Sequence, residues 1–383
     1  VGCAAAGEAE GLGHQAPKID FLSFLVHAPV KDCLIRNFKG PSRLSHSTTT
    51  AHDAVHPAEQ ARLRSFQKPQ QGRAIWQIVS TYGSYVLLTA AMYVTAKISV
   101  LLTLLLGLPL GGLIVRIFVF QHDFGHNSFL STPRQNRFMG RVSSFVTMTP
   151  FAYWRWIHAQ HHNVWNNLGH RGIPSELYTD CLTLAEYKNL SKPKQFLYRF
   201  SHNPLLIHVL LPPVLFLLIY RTPYDLPPSR QAERRSVYAL DLVLLLVYGS
   251  LIAIFGIKTV LLVHLPSMVL AAIIGVWLFS VQHRFEASKW LSKADWTTAD
   301  AALGGTSYFK LPRIFRWFSA DIGTHHVHHL RPSVPSYRLV ECHEACELTM
   351  ARVHTLTIGE ALRAPSYSLW DEDRQTMVQI PKG

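Results

Sequence analysis

Two pairs of uncharged apolar stretches constrain this chain more than any other feature. Ala74–Ala96 and Ile98–Val115 are separated by Lys97 alone, and Leu242–Ile257 and Thr259–His283 by Lys258 alone. A helix crossing a hydrocarbon core of roughly 30 Å needs about 20 apolar residues at a rise of 1.5 Å each. Each pair therefore predicts a helical hairpin that enters and leaves a bilayer on one face. The second stretch stays apolar through Phe120 beyond Arg116, and Ser236–Leu240 extends the third. Only 16% of the residues are charged, where soluble domains run at roughly 25%. A soluble enzyme and a disordered chain are both excluded on these grounds.

A fifth apolar stretch, Phe200–Tyr220, decides the topology. The polar regions 121–199 and 284–383 both hold histidine clusters. If these clusters form one site, they lie on one side of the bilayer, which three crossings between them forbid. Pro212-Pro213 removes two backbone donors from the middle of this stretch, so it is the one expected not to cross. It is read as interfacial or dipping in and out, as is a shorter run near Phe145–Trp156. The expectation is an all-α integral membrane protein with four transmembrane helices in two hairpins, about 74–120 and 237–283.

Histidine is the second oddity: 21 residues, nearly as many as the 24 acids. Three clusters carry metal-ligand spacing. His122 and His126 stand at i and i+4, so a helix presents both on one face. His158, His161 and His162 follow the i, i+3, i+4 pattern, and His325, His328 and His329 repeat it, with His326 off that face. Eight imidazoles exceed the four ligands of a tetrahedral zinc and suit two metals better. Imidazole binds Fe, Zn, Cu and Ni alike, so ligand type alone does not choose the metal. Asp123 and Asp321, the latter one helical turn before His325, are candidate carboxylates to orient bound imidazoles. His283 closes the last apolar stretch on the cluster side and is a candidate ninth ligand. His208 and His264 lie within apolar stretches, where a polar contact is the expected role.

The formal charge of +13 does not point to nucleic acid, because few basic residues form tight blocks. Arg134, Arg137, Arg141 and Arg155 follow the first hairpin, and Arg221, Arg230, Arg234 and Arg235 precede the second. The opposite turns show only Lys97 and Lys258, so positive residues place the histidine side in the cytoplasm. Residues 1–73 read as a poorly ordered tail without a charged-then-apolar signal. Glu8, Glu10, Asp20 and Asp32 weaken a transit-peptide reading. Five scattered cysteines form no disulfide framework and fit a reducing compartment. Cys342 and Cys346 could share a helix face with zinc, but without a second pair they read as plain helix residues.

The three clusters resemble the HxxxH, HxxHH and HxxHH boxes of the membrane-bound fatty acyl desaturases. The resemblance extends over most of residues 75–380, through Leu182–Tyr187, Asn203-Pro204-Leu205, Gly275-Val276-Trp277, Val281-Gln282-His283, Tyr308–Pro312, Asp321-Ile322-Gly323 and Leu369–Asp373. It is nearest to bacterial acyl-lipid desaturases and their Δ12 relatives. It implies a desaturase domain over 74–380, four crossings, a cytosolic di-iron cap, and His283 as an additional ligand. Asn163–Gly172 lacks an acid those relatives tend to carry, residues 173–181 look longer, and Ala287 stands where an acid usually follows Phe-Glu. These departures leave the ligands intact and bear on the substrate.

An unactivated methylene yields hydrogen only to a strong oxidant, which side chains are not and metal-bound oxygen is. The expected reaction uses two Fe ions, O2 as co-substrate and two electrons to place a cis double bond in a lipid-linked acyl chain. No flavin or dinucleotide motif is present, so the electrons come from ferredoxin, flavodoxin or cytochrome b5. An apolar tunnel should hold the chain, with Trp154, Trp156 and Trp277 as candidate walls. A related di-iron hydroxylase or carotenoid ketolase shares the boxes, and a metal transporter would place its ligands near the bilayer midplane.

Overall fold

The structure is a computed structural model and describes residues 55–171 and 180–381. Most of the expected tail, including His14, His27, His46 and His52, lies outside the described residues. So does most of the stretch 173–181. Helix α1 (Gln71–Thr95) and helix α2 (Val100–His126) form the first hairpin, and the Ser99 hydroxyl caps α2 by accepting from Leu102 N–H. Helix α3 (Pro133–Thr147) follows, with a capping box between Thr132 and Gln135, and then helix α4 (Phe151–Val164). Helix α5 (Gln231–Phe255) and helix α6 (Ile257–Val281) form the second hairpin. Their link is Gly256 at φ +79°, a conformation that costs glycine little and other residues much. Helix α7 (His325–Leu330) carries the third cluster.

Among the described residues, helices α1, α2, α5 and α6 are the four long and apolar enough to cross a membrane. Leu87 and Leu245 stand exposed on α1 and α5, as lipid-facing residues do, while α2 and α6 pack lengthwise at the centre. Chain segments outside the hairpins gather into a cap at one end. Five short strands fasten it: β1 (Leu182–Thr183), β2 (Tyr308–Phe309), β3 (Thr355–Leu356), β4 (Tyr367–Asp371) and β5 (Thr376–Gln379). Strand β4 lies between β1, parallel, and β5, antiparallel; β2 runs parallel to β3 with Tyr308 opposite Thr355.

Two sequence expectations need correction. Residues 55–70, assigned to the tail, are folded onto the cap. Glu59 accepts hydrogen bonds from Leu348 N–H at 3.0 Å and Thr349 N–H at 2.9 Å, and Leu63 is buried. The helix Gln60–Ser65 is too short for its periodicity to announce it. The second correction concerns Pro212-Pro213. They sit inside a helical run in which π-helical Leu206–Leu210 passes directly into Leu211–Leu217, and they do not break it. The chain instead bends by 43° between Lys192–Ser201 and Leu206–Arg221. Both ends of this bent segment are held on the cap side. Tyr198 donates to Ser368 C=O at 2.7 Å, and Arg221 reaches the Met148 carbonyl and Asp241. The segment therefore returns to the side it left, as parity requires.

Candidate metal centre

Each histidine is placed by a local feature of its element. Helix α2 runs past the last apolar turn to His126 and stops at Asn127, which takes the left-handed conformation at φ 56°. His122 and His126 thus occupy the final turn, just beyond the apolar run. Helix α4 lies across the top of the hairpins, and His158 stacks on Trp154 at 4.6 Å between ring centroids. The third cluster follows an antiparallel bridge between Tyr308 and Thr324, in which Phe309 N–H bonds Gly323 C=O at 2.7 Å. A Cβ on Gly323 would meet the Phe309 carbonyl oxygen at 2.5 Å, so only glycine allows α7 to start there.

These elements bring all nine predicted histidines together in two adjoining groups. In His122, His126, His158, His162 and His328 one nitrogen of each ring lies within 4.8 Å of the others, and the same holds for His161, His283 and His329. His325 joins the second group, its Nε2 3.2 Å from His283 Nε2. The groups touch through His162 and His329, whose centroids are 4.3 Å apart. All nine rings are buried except His126 and His162, which are half-buried.

The donor set fits metal ions. His283 Nε2 lies 2.9, 3.0 and 3.2 Å from the Nε2 atoms of His161, His329 and His325. One proton can serve only one such contact, so lone pairs converge there as they do around a cation. His122 Nε2 and His126 Nε2 are buried without a hydrogen-bond partner among the described residues. Burial, then the neighbouring imidazoles, pushes His158, His162, His325, His328 and His329 well below the ordinary histidine pKa. The rings are therefore neutral, the form that binds metal.

The orienting groups are partly those expected. Asp123 Oδ1 lies 3.1 Å from His122 Nδ1, and its Oδ2 accepts from Ser336 N–H at 2.6 Å. His283 Nδ1 lies 2.7 Å from the Phe279 carbonyl, which turns its Nε2 into the cluster. Asp321 is not beside His325. It pairs with Arg316 at 2.7 Å. Helix α7 begins only at His325, and Asp321 lies in the preceding turn at φ 60°, so helical spacing does not apply. His326 faces away, its Nε2 2.9 Å from His343 Nδ1. His208 and His264 meet Ser280 Oγ at 2.9 Å and the Tyr93 hydroxyl at 3.0 Å. Cys342 and Cys346 are free and buried in the apolar core.

Residues that spacing did not single out complete the surroundings. Trp165 packs edge-on against His283 at 4.5 Å. Arg116, which interrupts the apolar run of α2, is buried. It donates to Thr81 Oγ1 at 2.9 Å, Gln77 Oε1 and the Trp317 carbonyl, with the Trp317 ring 4.5 Å away. Such a desolvated cation–π contact contributes about 2 kcal/mol and ties the approach to the third cluster onto the first hairpin. Arg284, beside His283, is wholly buried with no hydrogen-bond partner for its guanidinium among the described residues, a costly position for a charge.

Beneath the histidines an apolar cavity of about 160 Å³ runs between the hairpins. His122, His158, His161 and His325 line one end, and Ile114, Val115, Leu215, Met268 and Gly275 line the walls. Trp154 is a wall residue as expected. Trp156 and Trp277 are not; they pack under Arg230 and against Phe309.

Comparison with known proteins identifies a family. The model of the family described as fatty acid desaturase matches residues 95–359. A fatty acid desaturase of Bacillus subtilis (strain 168) is 34% identical over 332 residues, covering 87% of this chain and 92% of that protein. From Arabidopsis thaliana, the endoplasmic reticulum acyl-lipid omega-3 desaturase (cytochrome b5) is 29% identical, over 64% of this chain and 63% of its own length. The chloroplastic temperature-sensitive sn-2 acyl-lipid omega-3 desaturase (ferredoxin) is 27% identical, over 62% of this chain and 55% of its own length.

Proposed function

This chain belongs to the fatty acid desaturase family, and from that premise we propose how its residues serve the reaction. It is an integral membrane oxidoreductase that acts on fatty acyl chains. The proposal is that His122, His126, His158, His162 and His328 hold one iron and His161, His283, His325 and His329 a second. The observation that carries it is the meeting of nine imidazoles at the end of an apolar cavity. When bound, iron supplies, with O2 and two electrons, the oxidising power that no side chain has.

The chain's own residues do the rest. Trp154, Ile114, Val115 and Met268 receive the hydrocarbon and exclude water, so two adjacent methylenes lie below the histidines. Asp123 and the Phe279 carbonyl hold His122 and His283 in their ligating orientation. The product is a cis double bond in a lipid-linked acyl chain. The desaturase domain spans about 74–380, with its cap on the cytoplasmic side, a reading that the basic residues around the cap support. There a ferredoxin, a flavodoxin or cytochrome b5 delivers electrons, steered by positive charge. The plant relatives named for cytochrome b5 and ferredoxin support donors of this kind. Placement of the ligands at helix ends, not at mid-bilayer, speaks against a transporter.

The test is expression in a host whose lipids are only saturated and monounsaturated, followed by double-bond mapping. A new cis double bond is expected. A hydroxylated product, or none with iron bound and a donor supplied, refutes the reading.

A further inference from the structure

A second cavity, of about 260 Å³, lies outside the histidine centre. Phe285 and Leu356 form its apolar floor, and Glu286, His354, Arg363 and Tyr367 supply its polar walls. Two opposite charges in this lining are not paired with each other. Glu286 Oε2 accepts from the Tyr367 hydroxyl at 2.7 Å, while its Oε1 takes no hydrogen bond among the described residues. Arg363 makes no ion pair among them either. Glu360, which also lines the cavity, is already engaged by Thr357 N–H at 2.7 Å and His354 Nε2 at 3.1 Å.

The cavity sits at the membrane boundary. The helix Ile358–Arg363 forms one wall and presents Ile358 and Leu362 outward, 44% and 69% exposed. Its inward Ala361 packs in one cluster with Leu356, Phe285, and Leu278 and Val281 of α6. The neighbouring helix Arg313–Phe318 likewise exposes Ile314, Phe315 and Trp317, and pairing of β2 with β3 joins the two regions. Apolar faces beside arginines at the end of a membrane helix belong at headgroup depth. Leu278 also lines the acyl-chain cavity, so the two cavities border one apolar cluster.

We propose that this cavity binds the zwitterionic headgroup of the glycerophospholipid whose acyl chain is the substrate, with its phosphate on Arg363 and its ammonium on Glu286. This rests on the desaturase reading and deepens it from an acyl chain to a lipid class. The guanidinium donates to phosphate oxygens, and the free carboxylate oxygen accepts from the ammonium beside the Tyr367 ring. A headgroup with phosphate and no ammonium satisfies only half of the site.

The experiment uses the full chain, iron-loaded, in bilayers of phosphatidylethanolamine or phosphatidylglycerol with identical acyl chains. Removing one charge-assisted contact corresponds to about tenfold in affinity. Wild type should favour phosphatidylethanolamine; Glu286→Gln should reduce that preference about tenfold, whereas Arg363→Gln should weaken both lipids about tenfold and leave the preference in place. Binding of soluble dihexanoyl phosphatidylethanolamine, followed calorimetrically, should weaken similarly in Arg363→Gln. Unchanged selectivity in Glu286→Gln overturns the proposal, even if the short-chain lipid binds. Equal binding to wild type and Arg363→Gln overturns it as well. Failure of wild type to desaturate any lipid would instead defeat the desaturase reading, leaving the binding measurement to judge the headgroup site.

Discussion

The two histidine groups use one side-chain chemistry in different settings. The group of His122, His126, His158, His162 and His328 includes two half-buried rings and a carboxylate, Asp123. The group of His161, His283 and His329, joined by His325, is wholly buried, bounded by Phe279 and Trp165, and oriented by a backbone carbonyl. Their membership follows helical geometry. At 3.6 residues per turn, position i+4 leads i by about 40° and i+3 trails it by about 60°. His158 and His162 accordingly share one group while His161 swings into the other. On α7 the roles reverse: His325 and His329 stay together and His328 crosses over. A box of the form HxxHH is thus a bridge that contributes to both groups from one helix.

That division can be broken experimentally. The largest effect should come from His161→Ala or His328→Ala, one from each group, each reducing desaturation to background. Residual turnover above a few per cent of wild type would remove that residue from the site. His283→Ala should come next, with about half the iron lost because the first group has no share in this ring. Full iron content with full activity would remove His283 from the second group, and loss of both irons would show that the groups do not load separately. Asp123→Asn should weaken iron binding about 10- to 100-fold, as loss of an orienting carboxylate does. Metal titration against a chelator measures this, and an unchanged affinity would reduce Asp123 to a tether for Ser336.

Acid sensitivity should be smaller and separable from the ligands. Burial, then His343, pushes His326 down to about 3, while an unfolded histidine titrates near 6.5. Between those values the unfolded chain binds the additional proton. Stability is therefore complete above about pH 6.5 and falls as the pH drops, by about 1.4 kcal/mol per unit for this one ring. Thermal unfolding midpoints at pH 7.5 and 5.5 should differ in wild type, and by less in His326→Gln. An equal fall in both would assign the effect elsewhere. The smallest effect belongs to Asp321→Asn. Its pair with Arg316 is part-exposed, so stability should change by less than about 1 kcal/mol. Iron content should not change, and a loss of iron would restore Asp321 to a role at His325.

Much of this was legible in residue order. Uncharged length marks the four membrane helices because hydrocarbon admits little else. Histidine spacing marks the candidate ligands because consecutive turns of a helix stack their side chains. The parity that kept 200–220 on one side followed from the same two facts. Short elements were not legible: the helix Gln60–Ser65 has too few residues for a period, and the prolines misplaced the bend that falls near Asn203-Pro204.

By itself, then, the order of residues determined the hairpins, the nine candidate histidines and a nitrogen-rich donor set. Tertiary structure alone decided how those histidines divide, that Asp123 and not Asp321 stands against one of them, and where the two cavities lie. The reason is range. Period and hydropathy are local properties that one helix or one bilayer can read. Pairing His161 with His283, or Arg316 with Asp321, depends on contacts and turns whose partners no local repeat can name.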